Sequence, residues 1–162
     1  MRFLFCLVAI LLVANFFIYK DILAPRVLTV FVLDVGEKGN ATLVQTPNRK
    51  TILIDTGPDA SILRALGTAL PEWKRNIDVI ELTSATAGAV GGLPDVTSRY
   101  HVPTPVHFGT AATPYGARLA FNDVSIVVLA PGIFTISYGA TSLSISSSTP
   151  KGVYISDGKT IK

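Results

Sequence analysis

The sequence predicts a mixed α/β fold in which strands and helices pack in layers. Short apolar, β-branched runs such as Val27–Asp34 and Val79–Leu82 have the length and composition of buried strands. Between them, Ile62, Leu66 and Leu70 recur with the spacing of one helical face. With 162 residues and 49% hydrophobic residues, the chain can bury the core of one domain and is too apolar to be disordered.

The chain begins with an apolar segment, Phe3–Tyr19, interrupted only by Asn15 and just long enough to cross a bilayer. A cleaved signal peptide is the alternative, but Ala14 and Ala24 both lack the small residue that a cleavage site needs two positions earlier. We therefore expect an uncleaved single-pass anchor in residues 1–24, followed by one domain in residues 25–162. The basic residues flanking the segment leave its orientation in the membrane open.

The strands of the first half follow in order from their composition and the turns between them. Val27–Asp34, Ala41–Thr46 and Lys50–Asp55 are separated by the turn sequences Gly36–Asn40 and Pro47-Asn48, which predicts three antiparallel strands. Asp59 or Ser61 is a suitable N-cap for a helix that continues to about Leu70.

The second half alternates between short strands and turns. Val79–Leu82 is a predicted strand, Leu93–Arg99 a short helix, and Pro105–Phe108 another strand. The remaining predicted strands are Arg118–Phe121, Val124–Ala130, Thr141–Ser147 and Val153–Ser156.

Charge and cysteine content exclude several classes of protein. The net charge is +3, and no basic run exceeds two residues, which favours a solvated basic surface over a clustered nucleic-acid footprint. The single cysteine, Cys6, excludes an intramolecular disulfide and a cysteine-rich zinc site.

Several motifs in a fixed order resemble the metallo-β-lactamase-like domain of the ComEC family of DNA-uptake competence proteins. They are Leu33-Asp-Val-Gly36, Ile52-Leu-Ile-Asp-Thr-Gly-Pro58, Leu70-Pro-x-Trp-x-Arg75, Leu82-Thr83 and Gly91-Gly-Leu93. The resemblance runs from about Val27 to Val102. It implies αββα layers, of which we expect only the first half and a few extra strands.

The metal loop of that family reads Leu-Thr-His-x-His-x-Asp-His-x-Gly-Gly-Leu. At the positions of the three histidines and the aspartate, this chain has Ser84, Thr86, Gly88 and Ala89. Catalytic zinc needs imidazole, thiolate or carboxylate ligands, so we expect no metal, no cofactor and no catalytic residues here.

Two carboxylates and two histidines remain to be assigned. The resemblance implies that Asp55, with Thr56 and Gly57, forms hydrogen bonds to the amides of the former metal loop. We expect Asp34 to be buried and to play a similar part. His101 and His107 match neither the ligand positions of the family nor a helical metal pair, and are expected to be ordinary surface or edge-strand residues.

The sequence therefore predicts a membrane-anchored, catalytically inactive module with a binding or structural role. The resemblance implies a membrane channel or other protein as its partner, and nucleic acid as a further one. An alternative is a homodimeric aspartic protease, since Asp55-Thr56-Gly57 also resembles the catalytic turn of such enzymes. A third is a hydrolase with replacement metal ligands, for which the candidates are Asp34, Asp55, His101, His107 and Asp157.

Overall fold

A computed structural model describes residues 6–8, 10–13, 15–16, 26–103, 107–108 and 114–162. It contains ten strands in two sheets. Their bounds are β1 Leu28–Val32, β2 Thr42–Gln45, β3 Thr51–Ile54, β4 Val79–Leu82, β5 His107–Phe108, β6 Arg118–Phe121, β7 Val124–Ala130, β8 Ile133–Tyr138, β9 Thr141–Ile145 and β10 Gly152–Ser156. The helices between residues 60 and 100 are α1 Ser61–Ala69, α2 Ala87–Val90 and α3 Leu93–Arg99.

The first sheet has six strands in the order β10-β1-β2-β3-β4-β5. Strands β1, β2 and β3 are antiparallel neighbours, as predicted, because tight turns join them. The chain then crosses over through α1, so that β4 and β5 run parallel to β3. The ends of β1, β3 and β4 consequently lie at one edge of this sheet, and their starts lie at the other.

The second sheet is an antiparallel meander in the order β6-β7-β8-β9. Its inward side chains alternate along each strand, as period-two sequences require. Val124, Ile126 and Phe134 are all buried against the first sheet.

Two apolar cores hold the layers together. Ile62 and Leu66 of α1 pack with Val96 of α3 against the first sheet, which contributes Leu53 and Ile80. The opposite face of that sheet packs against the second sheet. The described residues therefore form three layers, helix, sheet and sheet, because residues 114–162 contain strands and turns rather than the helix of a fourth layer.

Several predicted details are wrong. Strand β8 and helix α2 were not predicted, although Phe134, Ile136 and Tyr138 carry the alternation of a strand. The N-cap of α1 is Ala60, because Asp59 instead accepts the Ser61 N–H within a tight turn (2.8 Å).

The predicted anchor lies mainly outside the described residues. Those of its residues that are described are helical, and their apolar side chains are exposed: Leu7, Val8, Ile10, Leu11, Leu12, Val13 and Phe16. Within the described part of the chain, no helix combines the length and the apolar character needed to cross a bilayer.

Candidate functional site

A cleft of about 220 Å³ opens at the edge of the first sheet where β1, β3 and β4 end. Three segments form its walls: the turn after β1, the loop after β4 and the turn between β7 and β8. Its lining includes Lys38, Asn40, Asp55, Ser84, Thr86 and Gly132. The cleft thus lies at the loop that the ComEC resemblance identifies with a metal site.

Asp55 lies at the floor of this cleft and is only 1% exposed. Its φ angle of 57° is left-handed, a conformation that Asp and Asn adopt more readily than most residues. Its carboxylate accepts two hydrogen bonds of 2.7 Å, from the Thr83 N–H and from the Thr83 hydroxyl. Asp55 therefore contacts the first residue of the former metal loop, rather than the amides of Ser84–Gly88.

Thr83 joins the two sheets at this point. Its hydroxyl donates to Asp55 and accepts a 2.8 Å hydrogen bond from the Gly132 N–H in the second sheet. Its carbonyl oxygen accepts a further bond of 2.9 Å from the Tyr115 hydroxyl. The cleft floor is consequently a buried polar junction with satisfied groups, which stabilises one arrangement of the surrounding loops.

Thr56 and Gly57 hold the loop after β4 from the other side. The N–H and the hydroxyl of Thr56 both donate to the Ala89 carbonyl, at 2.7 and 2.8 Å. Gly57 has a φ angle of 74° and donates its N–H to the Asn40 carbonyl. The Thr56 bonds hold the loop after β4, and the Gly57 bond holds the turn after β1.

Ser84, Thr86, Gly88 and Ala89 supply no imidazole, thiolate or carboxylate group. The hydroxyls of Ser84 and Thr86 bond to each other at 2.9 Å, and Gly88 and Ala89 have no donor atom in their side chains. Among the described residues, no three His, Cys, Asp or Glu side chains lie close enough together to hold a metal ion. The residues of this loop therefore do not fit a zinc ion.

Backbone packing also leaves no room for a side chain at position 88. A Cβ atom at Gly88 would overlap the Lys38 carbonyl oxygen, and the Asn40 N–H bonds to the Gly88 carbonyl at 3.2 Å. The turn after β1 thus occupies the space that a side chain at position 88 would need.

Sequence reasoning missed Glu81, a buried acid in the middle of β4. It is 1% exposed, and neither carboxylate oxygen has a hydrogen-bond partner among the described residues. Because side chains alternate along a strand, Glu81 faces the same side as Val79, which packs against the second sheet. The sequence signal for Glu81 was the presence of an acid within the otherwise apolar strand Val79–Leu82.

Asp55 and Glu81 both hold protons more tightly than ordinary carboxyl groups. Burial raises the pKa of Asp55 to about 6, against the opposing effect of its hydrogen bonds from Thr83. Burial, followed by the nearby charge of Asp55, raises the pKa of Glu81 to about 7. At neutral pH Asp55 is therefore mostly ionised, whereas Glu81 is only partly ionised.

The other predicted residues lie apart from this junction. Asp34 is exposed, contrary to expectation, because Leu33 and Val35 on either side of it point into the core. Its carboxylate accepts the Gly36 N–H at 3.2 Å. His101 is exposed and pairs with Asn76 through the backbone, whereas His107 lies in β5 and its side chain is outside the described residues.

The geometry of Asp55 is unfavourable to an aspartic protease. Such an enzyme brings two aspartates together on a two-fold axis, where they share a proton. Asp55 is buried, and both of its oxygens are bonded to Thr83, so no second aspartate can approach it without opening the junction.

These layers and the position of the cleft define a metallo-β-lactamase fold, and comparison with solved structures supports that class. The chain is similar to a HARLDQ-motif variant of the metallo-β-lactamase from Cronobacter sakazakii, with 18% identity and a TM-score of 0.51 over 70% of this chain and 58% of the enzyme. It is also similar to the HARLDQ-motif enzyme itself (18%, 0.49, 69% and 57%) and to the Rm3 metallo-β-lactamase (18%, 0.47, 71% and 59%).

At this identity the similarity shows the fold alone, and the chain spans less than two thirds of the length of these enzymes. No protein-family model and no curated protein matches the chain.

Proposed function

We propose that this protein is a membrane-attached, metal-free module of the metallo-β-lactamase fold, whose cleft binds a ligand or partner and performs no hydrolysis. The observation that carries the proposal is the cleft of about 220 Å³ at the former metal loop. The buried polar junction forms its floor, and its walls carry hydroxyl, amide and charged side chains as well as backbone. A site of this kind can recognise a polar ligand but cannot activate water through zinc.

The packing at Gly88 supports the same proposal. Loss of ligands alone would leave a cavity that histidine and aspartate could refill. Here the Lys38 carbonyl fills the space beside Gly88, so a larger side chain at this position would require the turn after β1 to move. The motifs shared with ComEC-type proteins suggest a place beside a DNA-uptake channel, and the apolar segment Phe3–Tyr19 suggests attachment to the membrane.

The test is the zinc content of the full chain, purified in detergent without a histidine tag and dialysed against trace zinc. We expect well below one equivalent of zinc. One or more tightly held ions would overturn the proposal, and substitution of His101, His107 and Asp157 would then identify the ligands.

A restored variant provides a sharper comparison. It carries Ser84→His, Thr86→His, Gly88→Asp and Ala89→His together. We expect this variant to bind no zinc and to be less stable than the parent chain, because the new side chain at position 88 overlaps the backbone of Lys38. If it binds one equivalent of zinc with unchanged stability, the turn after β1 does not close the site.

A further inference from the structure

The edge of the first sheet opposite the cleft carries an exposed aromatic residue among basic side chains. β1 and β3 are both antiparallel to β2, and β4 is parallel to β3, so these three strands run in one direction. All three therefore start at this edge. The turn between β2 and β3 and the connector from α1 to β4 lie there too. We call this surface the basic end and define it by Arg26, Arg49, Lys50, Trp73, Lys74 and Arg75.

Trp73 is the most unusual member of the basic end. It is the single tryptophan of the chain, and 83% of its surface is exposed. Tryptophan is on average among the more buried residues, but a single exposed apolar side chain is common on protein surfaces. Trp73 bears on binding because it lies among the cations of the basic end. The connector that carries it is held in place, because the His101 N–H donates to the Arg75 carbonyl at 2.8 Å.

The basic side chains give this end its charge. Lys50 forms an ion pair of 2.9 Å with Asp78, while Arg26 and Arg75 are exposed. At the cleft end, the exposed acids Asp34 and Glu37 are offset by the exposed cations Lys38 and Lys151. The basic end has five cations against the acids Glu72 and Asp78. The charge is therefore distributed unevenly along the strand direction, and the basic side chains are concentrated at the edge that carries Trp73.

The N-terminal chain reaches β1 at the basic end, because Arg26 and Val27 directly precede the start of β1. The apolar segment Phe3–Tyr19 lies upstream of this point, and its described apolar side chains are exposed. The chain therefore enters the domain at the end where Trp73 and the cations are found.

We infer that the basic end is the membrane-docking surface of the domain, with Trp73 in the headgroup region and the cations against anionic lipids. Tryptophan is enriched at membrane–water interfaces, and lysine and arginine near a bilayer are attracted to anionic headgroups. Docking in this orientation points the cleft away from the membrane, toward soluble partners. The inference rests on the membrane attachment in the proposed function.

The experiment uses the full chain in vesicles, with Trp73 as the only tryptophan fluorophore. Flotation first tests attachment to neutral phosphatidylcholine vesicles and to vesicles with 30% phosphatidylglycerol. Brominated acyl chains in the same vesicles then quench Trp73 if it lies at the interface. We expect strong quenching and a blue-shifted emission in the anionic vesicles, both weakened in about 0.5 M salt by charge screening.

Two matched variants separate specific docking from general charge. Lys74→Gln with Arg75→Gln removes two cations from the basic end and should lower the ratio of docked to undocked domain by roughly 30-fold, which corresponds to about 1 kcal/mol per cation. Arg118→Gln with Lys151→Gln removes the same charge from exposed positions elsewhere and should leave quenching unchanged.

The outcomes distinguish the two proposals. A chain that does not float overturns membrane attachment, and docking with it. A chain that floats while Trp73 stays unquenched in anionic vesicles overturns docking alone. Quenching of Trp73 by a single-stranded oligonucleotide without vesicles, and not by brominated lipid, would overturn it in favour of a nucleic-acid surface.

Discussion

The cleft end and the basic end of the domain are organised in opposite ways. At the cleft end, Asp55 and Thr83 are 1% and 0% exposed and hold each other through two short hydrogen bonds. At the basic end, Trp73 is 83% exposed and Arg26 and Arg75 are also exposed, while Lys74 is half-buried. Substitutions at the cleft end should therefore change stability, whereas those at the basic end should change binding and leave stability nearly intact.

The largest effect on stability is expected for Gly88→Ala. The added methyl group would overlap the Lys38 carbonyl oxygen, which belongs to the backbone and cannot rotate away. We expect the free energy of unfolding to fall by about 3 kcal/mol. Urea unfolding followed by circular dichroism measures this change.

Gly67→Ala is the matched control. Gly67 lies in α1, and a Cβ atom there would meet nothing within 4 Å. It should raise stability by about 0.5–1 kcal/mol through the higher helix propensity of alanine. Equal stability of the two variants would show that the turn after β1 is free to move away from Gly88.

The second effect concerns Asp55. Asp55→Ala leaves the N–H and hydroxyl of Thr83 without their acceptor and places alanine at a φ angle of 57°, so we expect a loss of about 3 kcal/mol. Asp55→Asn keeps one acceptor oxygen and tolerates the backbone angle, so its loss should be about 1 kcal/mol. If Asp55→Ala and Asp55→Asn have the same stability in thermal or urea unfolding, the predicted difference between them is wrong.

The third effect depends on pH and concerns Glu81. Its pKa is raised from 4.5 to about 7 in the folded chain, so the folded state holds a proton that the unfolded state has released. Stability from this group is full below about pH 4.5 and is lost as pH rises through 7.

Glu81→Gln removes the ionisation. We expect it to stabilise the chain by about 2 kcal/mol at pH 8 and by much less at pH 5, as measured by urea unfolding at both values. Glu72→Gln, at an exposed position, should show no such difference between the two pH values. A stabilisation by Glu81→Gln that is the same at both would mean that Glu81 is not buried as a proton-binding group.

The smallest effect on stability is expected at the basic end. Lys74→Gln with Arg75→Gln should change the free energy of unfolding by less than about 0.5 kcal/mol, because neither side chain packs in the core. A loss above about 1 kcal/mol in urea unfolding would show that these cations stabilise the connector, and any loss of membrane docking would then need another explanation.

The elements that the sequence predicted best are those whose pattern is local. Val79–Leu82 and Leu93–Arg99 have the predicted bounds, because a short apolar run and a Pro near a helix start are visible without the rest of the fold. Strand β8 was missed even though its inward residues alternate, because Ser137 and Thr135 make the sequence resemble a polar loop.

The features that give the cleft its character depend on contacts distant in sequence. The overlap at Gly88 arises from Lys38, and the burial of Glu81 arises from a second sheet that begins at Arg118. Neither the overlap at Gly88 nor the burial of Glu81 can be predicted from the neighbouring sequence alone. The motif around Asp55 predicted a bond to the loop after β4, but only the structure identifies Thr83 as the partner.

The hydroxyl of Thr83 also has a consequence for how the chain reaches its native state. It joins Asp55 and Gly132, which are 28 and 49 positions away in sequence. Contacts over such separations form late, after the chain has closed long loops. The junction can therefore be completed only when both sheets have the correct register, and a chain with one strand displaced would leave Asp55 buried without its donors. The same polar contact that closes the floor of the cleft thus discriminates against misfolded pairings of the two sheets.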